Sequence, residues 1–391
     1  MSSGFMSLLF ILKFLIFYLT IKHEILYYIC RQNNTLKGGT DMFKVSTKNL
    51  QEMVNKLGKC NSNKLLEITK YYELEVNESG LVITATDGNN FIVVKDNTVK
   101  GDAFKTIVKA DQFSKLVLRT SVDKMTFTMK ENYLEVVGNG KYKVEVITDE
   151  KYPKYEFVTE VAPVEVELAT LKSVASTNKY AISTAIADGV LTGYLFQDGK
   201  CVTADGIKVC MTPAKLVEGS VLLTQEMMTL IGALTQEKVQ VTADDGKVLL
   251  ETDNTIVFGS EMDGLDQYPD VAPLAEIEFP SVCSLSKLAI LNILDRLTLF
   301  IDPFEKNEVL LNFTEEGLEV STNSGSYEVI AFAKSENFQP FTCAVNGLFL
   351  KELVSAVSTE LFELHYGEEA LIRLDSNGVI QLLATGEGEE A

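Results

Sequence analysis

From Met42 onward the chain repeats one unit, a helical stretch followed by short strands, six times over. The helical stretches are TKNLQEMVNKLGKC (47–60), ADQFSKLVLRTSVD (110–123), LATLKSVASTNKYA (168–181), TQEMMTLIGALTQE (224–237), LSKLAILNILDRLT (285–298) and VNGLFLKELVSAVS (345–358). Taking the first large apolar residue of each as an anchor gives Leu50, Phe113, Leu171, Met227, Leu288 and Leu348, spaced 63, 58, 56, 61 and 60 residues apart. Between the helices run β-branched and aromatic segments such as YYELEV, GLVITATDG and FIVVK, separated by Asx and Gly turns. Spacing this regular marks a repeat architecture, in which each unit buries its helix face only against neighbouring strands.

The turns group the six units into pairs. Asp87-Gly88 of TATDG and Asp205-Gly206 of TADGI lie 118 residues apart, and a further 118 leads to Asn323 in STNSG. The even-numbered units use other turns, at 138–140, 252–254 and 375–378. Two connectors, KYPKYEFVTEVAPVEVE (151–167) and QYPDVAPLAEIEF (267–279), each carry Tyr-Pro and then Ala-Pro, which neither a helix interior nor a central strand tolerates. The expected fold class is therefore α+β, with three similar domains over 42–163, 164–281 and 282–391, each a duplicated helix-plus-strands unit.

The start of the chain departs from this pattern. SLLFILKFLIFYLTI (7–21) is almost wholly apolar but carries Lys13 at its centre, and no small-residue cleavage site follows. Lys37-Gly38-Gly39 has codons that can spell a purine-rich ribosome-binding sequence just ahead of Met42. Residues 1–41 thus read as upstream sequence translated in frame, with a hydrophobic leader or anchor as the other reading. The six cysteines form no C-x-x-C pair and there are only two histidines. These numbers imply reduced packing cysteines, a cytoplasmic location, no metal and no cofactor. No catalytic residue is expected either, since the chain holds no G-x-S-x-G, P-loop or His-containing triad.

In the order and spacing of LVITATDGNNFIVV, GYLFQDGKCVTADGIKVC, EMDGLDQYPDV and GKYKVEVITDEKYPKYEF, residues 42–384 resemble the bacterial sliding clamp, the β subunit of the replicative DNA polymerase, in a cellular or phage version. That resemblance implies a homodimer closed head to tail into a ring. Helices would line the hole around double-stranded DNA and sheets would form the outside, so that the clamp acts as a processivity factor for the replicative polymerase. Tyr142 and Val144 match the apolar edge of the subunit contact, although both also read as interior strand residues. A groove for peptides of the polymerase and clamp loader would take Leu191, Asp205, Gly206, Ile207, Lys208, Val209, Pro269, Leu274, Leu382, Leu383 and Ala384. The chain ends TGEGEEA where cellular clamps end apolar and basic, which implies a more acidic groove rim. A membrane-tethered or secreted β-repeat binding protein is the alternative from another functional class.

A net charge of −20 is unusual for a nucleic-acid partner. Its distribution removes the objection. The six helical windows carry +2, 0, +2, −2, +1 and 0, a total of +3; residues 1–41 carry +2, so residues 42–391 carry −22 and everything there outside the helices −25. Lys48, Lys56, Lys59, Lys115, Arg119, Lys172, Lys179, Lys287, Arg296 and Lys351 are therefore the expected duplex-facing cations, although each one singly also reads as a solvated helix residue.

Overall fold

The computed structural model describes residues 42–60, 66–147, 151–301, 307–334 and 338–386. The expectation for residues 1–41 falls outside this range, as do Cys30 and the acidic end of the chain. Three similar domains follow one another. The first holds β1 (Met42–Ser46), α1 (Thr47–Leu57), β2 (Tyr71–Asn77), β3 (Gly80–Thr86), β4 (Phe91–Asp96), β5 (Phe104–Lys109), α2 (Ala110–Leu118), β6 (Lys124–Met129), β7 (Tyr133–Val137) and β8 (Lys141–Ile147). The second repeats the order with β9 (Val164–Glu167), α3 (Leu168–Thr177), β10 (Tyr194–Gln197), β11 (Lys200–Ala204), β12 (Lys208–Pro213), β13 (Val221–Leu223), α4 (Gln225–Ile231), β14 (Lys238–Asp244), β15 (Lys247–Glu251) and β16 (Thr255–Ser260). The third holds β17 (Ser281–Ser286), α5 (Lys287–Leu297), β18 (Glu308–Phe313), β19 (Leu318–Ser321), β20 (Tyr327–Ile330), the short β21 (Ala333–Lys334), β22 (Phe341–Asn346), α6 (Gly347–Ala356), β23 (Leu361–Tyr366), β24 (Leu371–Ser376) and β25 (Val379–Ala384).

Each helix begins at or one residue past a strand end, and a core residue stands four places past the N-cap. Leu50, Phe113, Leu171, Met228, Ile290 and Leu350 occupy this position, all at most 4% exposed. Two of the anchors chosen from sequence are thereby corrected. Leu288 and Leu348 are 68% and 42% exposed, because side-chain capping by Ser286 and Asn346 fixes the helix starts and turns those leucines outward.

One hydrogen-bond scheme binds the paired helices in all three domains. The first residue of the first helix donates its N–H to the chain just after the second, as Thr47 to Asp123 (3.0 Å), Leu168 to Glu237 (2.9 Å) and Lys287 to Glu360 (2.9 Å). A side chain of the first helix also donates to carbonyls at the end of the second: Gln51 to Val117 and Thr120, Lys172 to Leu234, and Lys287 to Ser355 and Val357.

The sheets show how the domains join. A twelve-stranded sheet runs β1-β6-β7-β8-β5-β2-β3-β4-β16-β15-β14-β9, a nine-stranded sheet β13-β10-β11-β12-β25-β24-β23-β17-β21, and a four-stranded sheet β20-β19-β18-β22. The first joint pairs β4 with β16, setting Phe91 opposite Phe258 and Val93 opposite Ile256. The second pairs β12 with β25, setting Val209 opposite Leu382 and Met211 opposite Ile380. Both joints thus use the last strand of one domain's first unit against the last strand of the next domain's second unit. The Tyr-Pro connectors are clasped alike: buried Tyr152 donates its hydroxyl to the Tyr71 carbonyl (2.9 Å) and buried Tyr268 to that of Val202 (3.4 Å).

The turns that suggested the repeat are alike in chemistry. Asp87 Oδ1 accepts the N–H groups of Asn89 and Asn90, and Asp205 Oδ1 those of Ile207 and Lys208. Gly88 and Gly206 take φ of 103° and 89°, where a side chain would be strained. The third hairpin spans one residue more and places Gly325, at φ 84°, past Asn323. Cys60, Cys201, Cys210, Cys283 and Cys343 are free and buried. Burial raises the thiols of Cys283 and Cys343 to about 12, so they serve as packing residues.

Candidate functional site

The second joint gathers an apolar surface cluster. Ala204, Val209, Met211 and Leu382 form its floor, and Leu191, Val202, Val271, Leu274, Ala275, Leu371 and Ile380 pack partly exposed around them. Four residues expected from sequence, Leu191, Val209, Leu274 and Leu382, are brought together here. Ile207 (48% exposed), Gly206 and Asp205 make the adjoining turn, Pro269 is exposed on the connector, and the Ala384 N–H donates to the Ile207 carbonyl (2.9 Å).

Two residues of the expected groove point elsewhere. Leu383 is wholly buried in the third domain's own core, because adjacent strand residues face opposite sides of a sheet. Lys208 is 5% exposed and faces the helices: its Nζ lies 2.7 Å from Glu352, 3.4 Å from Asp205, and 4.3 Å from the ring centre of Phe349. It braces the joint through charge and cation–π contact rather than lining the groove. Met211 and Ile380, missed in the sequence reading, were signalled by alternation from Val209 and Leu382.

The ten expected cations divide by what they already bind. Lys48, Lys59, Arg119 and Lys179 are exposed, and exposed Lys115 pairs with Asp111 one turn away (2.8 Å). Lys172 and Lys287 hold helix-end carbonyls. Arg296 makes a bidentate pair with Glu328 (2.7 and 2.5 Å), and Lys351 a bridge to Asp295 (2.6 Å). Lys56 corrects the sequence reading outright. It is 9% exposed and spans the first joint to Thr255 (3.0 Å) and Asn254 (3.4 Å), with burial lowering its pKa from the ordinary lysine value.

Residues 42–156 match the family model for the DNA polymerase III beta subunit, N-terminal domain. The described chain has the fold of a bacterial sliding clamp. The fold is that of the Bacillus subtilis DNA polymerase sliding clamp, with a TM-score of 0.81 at 17% identity over 90% of this chain and 100% of that one. Against the Thermotoga maritima DNA polymerase III beta subunit the score is 0.78 at 16% identity over 89% and 100%. For the Borrelia burgdorferi subunit, solved with a natural product, it is 0.77 at 20% identity over 89% and 99%. A search of curated proteins gives no match.

Of the strands equivalent to those at the two joints, β20 is a sheet edge, and β8 pairs with β5 only at Val146 and Ile147, so that among the described residues Lys141–Glu145 has no strand on that side. Of the two expected edge residues on β8, Tyr142 is 38% exposed, whereas Val144 is 1% exposed and belongs to the domain core. Beside β8 stands Val137 (42% exposed), opposite Lys141; on and near β20 stand Leu299, Phe300, Tyr327 and Val329 (78%, 57%, 63% and 52%). The Arg296–Glu328 pair ties the end of α5 to β20. The sequence reading missed these apolar residues, whose signal was Tyr327 and Val329 alternating in a strand that closes no joint within the chain.

Proposed function

We propose that this protein is a replicative sliding clamp, a non-catalytic processivity factor made of two copies joined head to tail around duplex DNA. In this reading domains 42–163, 164–281 and 282–391 form half of a six-domain ring, and the groove at the second joint takes apolar peptides of the polymerase and its loader. The observation that carries it is the unused pair of edges. A third joint in the register of the first two sets Tyr327 of one copy opposite Lys143 of the other, and Val329 opposite Lys141. Arg296 stands ten places past its N-cap, as Lys56 does, so it belongs to this boundary rather than to the DNA. Leu299 likewise matches Tyr180, whose hydroxyl crosses the second joint to Gln381 (2.7 Å), so it faces the other copy's Tyr142. Joining the copies covers open edges that are otherwise a liability.

Sparse free cations suit this role. A clamp is kept on DNA by enclosure, and every phosphate neutralised adds salt-dependent affinity that opposes sliding. No helix among the described residues is long and apolar enough to cross a membrane, and no described feature favours the tethered binding protein. The test is light scattering on the purified protein, where a dimer is expected and a monomer at micromolar concentration overturns the ring. Oxidising Lys143→Cys with Tyr327→Cys on circular DNA should give a covalent, salt-resistant complex that linearising the DNA releases.

A further inference from the structure

The outer face of the nine-stranded sheet does not end with the apolar cluster. Along β24 and β23 it turns polar, through Arg373, Asp375, Glu363 and His365, and opens into a cavity of about 540 Å³. Ile380 and Arg373 stand on the border, since Ile380 packs in the groove and also lines the cavity, while Arg373 lines the cavity and reaches the groove-wall residue Ala275. A segment lying in the groove can therefore place a neighbouring side chain in this basin.

The charges of the basin do not cancel. Every nitrogen of the Arg373 guanidinium is engaged, with Nε and Nη2 on the two Asp375 oxygens (2.7 and 2.6 Å) and Nη1 on the Ala275 carbonyl (2.7 Å). Burial raises the Asp375 carboxyl, but His365 and Arg373 outweigh it and hold the group below the usual range, so it stays ionised and paired. His365 Nε2 lies 3.3 Å from Asp375 and 3.8 Å from Glu363 without forming a well-directed hydrogen bond. What remains is Glu363, with its side chain 63% exposed and no lysine or arginine partner among the described residues. Exposed Glu276 and Glu278 follow Ala275 on the connector and carry the same sign.

We infer that the partner segment carries a lysine or arginine beside its apolar anchors, and that Glu363 selects it. The inference rests on the groove reading above and adds the chemistry of the guest: an apolar peptide with one basic residue. An acidic residue there would meet Glu363 and Asp375 with no free cation to offset them, whereas a lysine gains a partner without breaking the Arg373–Asp375 pair. The basin has room for the four-carbon stem.

The test uses fluorescence anisotropy of the whole protein with labelled ten-residue peptides. Each has Leu and Phe anchors one residue apart, and Lys, Gln or Glu is scanned through the flanking positions. At one flanking position the Lys peptide should bind about three- to fivefold more tightly than the Gln peptide at low salt, the range of an exposed ion pair. Glu363→Gln should erase that preference and Glu363→Lys should transfer it to the Glu peptide, while Leu274→Asp should remove binding of all three. Equal binding of Lys and Gln peptides at every position, with Leu274→Asp still abolishing it, overturns the selection and leaves the groove standing. No binding of any peptide to the unaltered protein overturns both. Loss of the Lys preference on adding micromolar Zn²⁺, with tight zinc binding that Glu363→Gln and His365→Ala each remove, would assign the cluster to a metal cation instead.

Discussion

The two joints within the chain share a register and differ in what covers them. At the first, Phe91 and Phe258 lie with ring centres 6.1 Å apart, and the following connector lays Tyr155 on both (5.8 and 4.8 Å) and Phe157 on Phe258 (6.1 Å). At the second, the matching pair is Val209 with Leu382, and the connector contributes Val271, Leu274 and Ala275, with no aromatic ring in the cluster. Aromatic rings from the connector stack over the first joint. Smaller aliphatic side chains cover the second without ring stacking and leave an apolar face. On the proposed reading, one backbone solution serves as glue at the first joint and as a receptor at the second, through side-chain volume at matching positions.

Phe258→Ala is expected to be the largest test of this contrast. It should destabilise the protein by about 3–5 kcal/mol in denaturant titrations, the usual cost of emptying a buried Phe site, and leave peptide capture intact. Leu274→Asp, on the partly exposed wall of the second joint, should do the reverse: a stability change within about 1 kcal/mol and loss of peptide binding. If both variants lost stability alike, the two joints would be equivalent and the division of labour would fail.

The first and third domains differ in the same way on their helices. Lys48, Lys59 and Arg119 are exposed in the first domain, whereas Lys287, Arg296 and Lys351 are all engaged in the third. Replacing the first set with Gln should flatten the salt dependence of duplex association by about 0.9 in log–log slope for each phosphate that is no longer neutralised. Replacing the second set should change that slope by less. Equal changes would mean that the ion pairs of the third domain open in the presence of DNA.

Local rules made the sixfold unit, its pairing and the strands readable from sequence. Asp-Gly turns, 3/4 apolar spacing and period-two alternation each act within ten residues or so. They did not reveal which cations are free, because that depends on chain far away. Lys56 is buried by Thr255, 199 residues on, and Lys208 is paired with Glu352, 144 residues on. Both look like exposed turn or helix lysines until the joints form. Leu383 failed for the opposite reason: its strand was found, but a position one residue off reverses the face, whereas Val144 shares the face of Tyr142 and is covered by the domain core. The open edge at Tyr327 and Val329 was the least legible, since its meaning lies in which joints the chain does not make with itself.

Lys56 gives the smallest and most specific test of how the first joint is sealed. Its ammonium is buried beside Asn254 and Thr255, and burial outweighs the attraction of Glu52 to lower its pKa from 10.5. The native state therefore holds this proton less tightly than the unfolded chain does. Below the folded pKa both states are protonated, and the native state bears the full cost of the buried charge. As pH rises from the folded pKa toward 10.5 the native lysine loses its proton first and that cost is relieved, so this residue adds stability across the window. Lys56→Met removes the titrating group and should change stability at neutral pH by no more than about 1 kcal/mol, the net worth of the hydrogen bonds it gives up. The difference in stability between the unaltered protein and Lys56→Met, followed by denaturant titration in small steps from about pH 8 to 10.5, should move in favour of the unaltered protein. A flat difference would mean that water reaches Lys56 and that the first joint is looser than its aromatic cover implies.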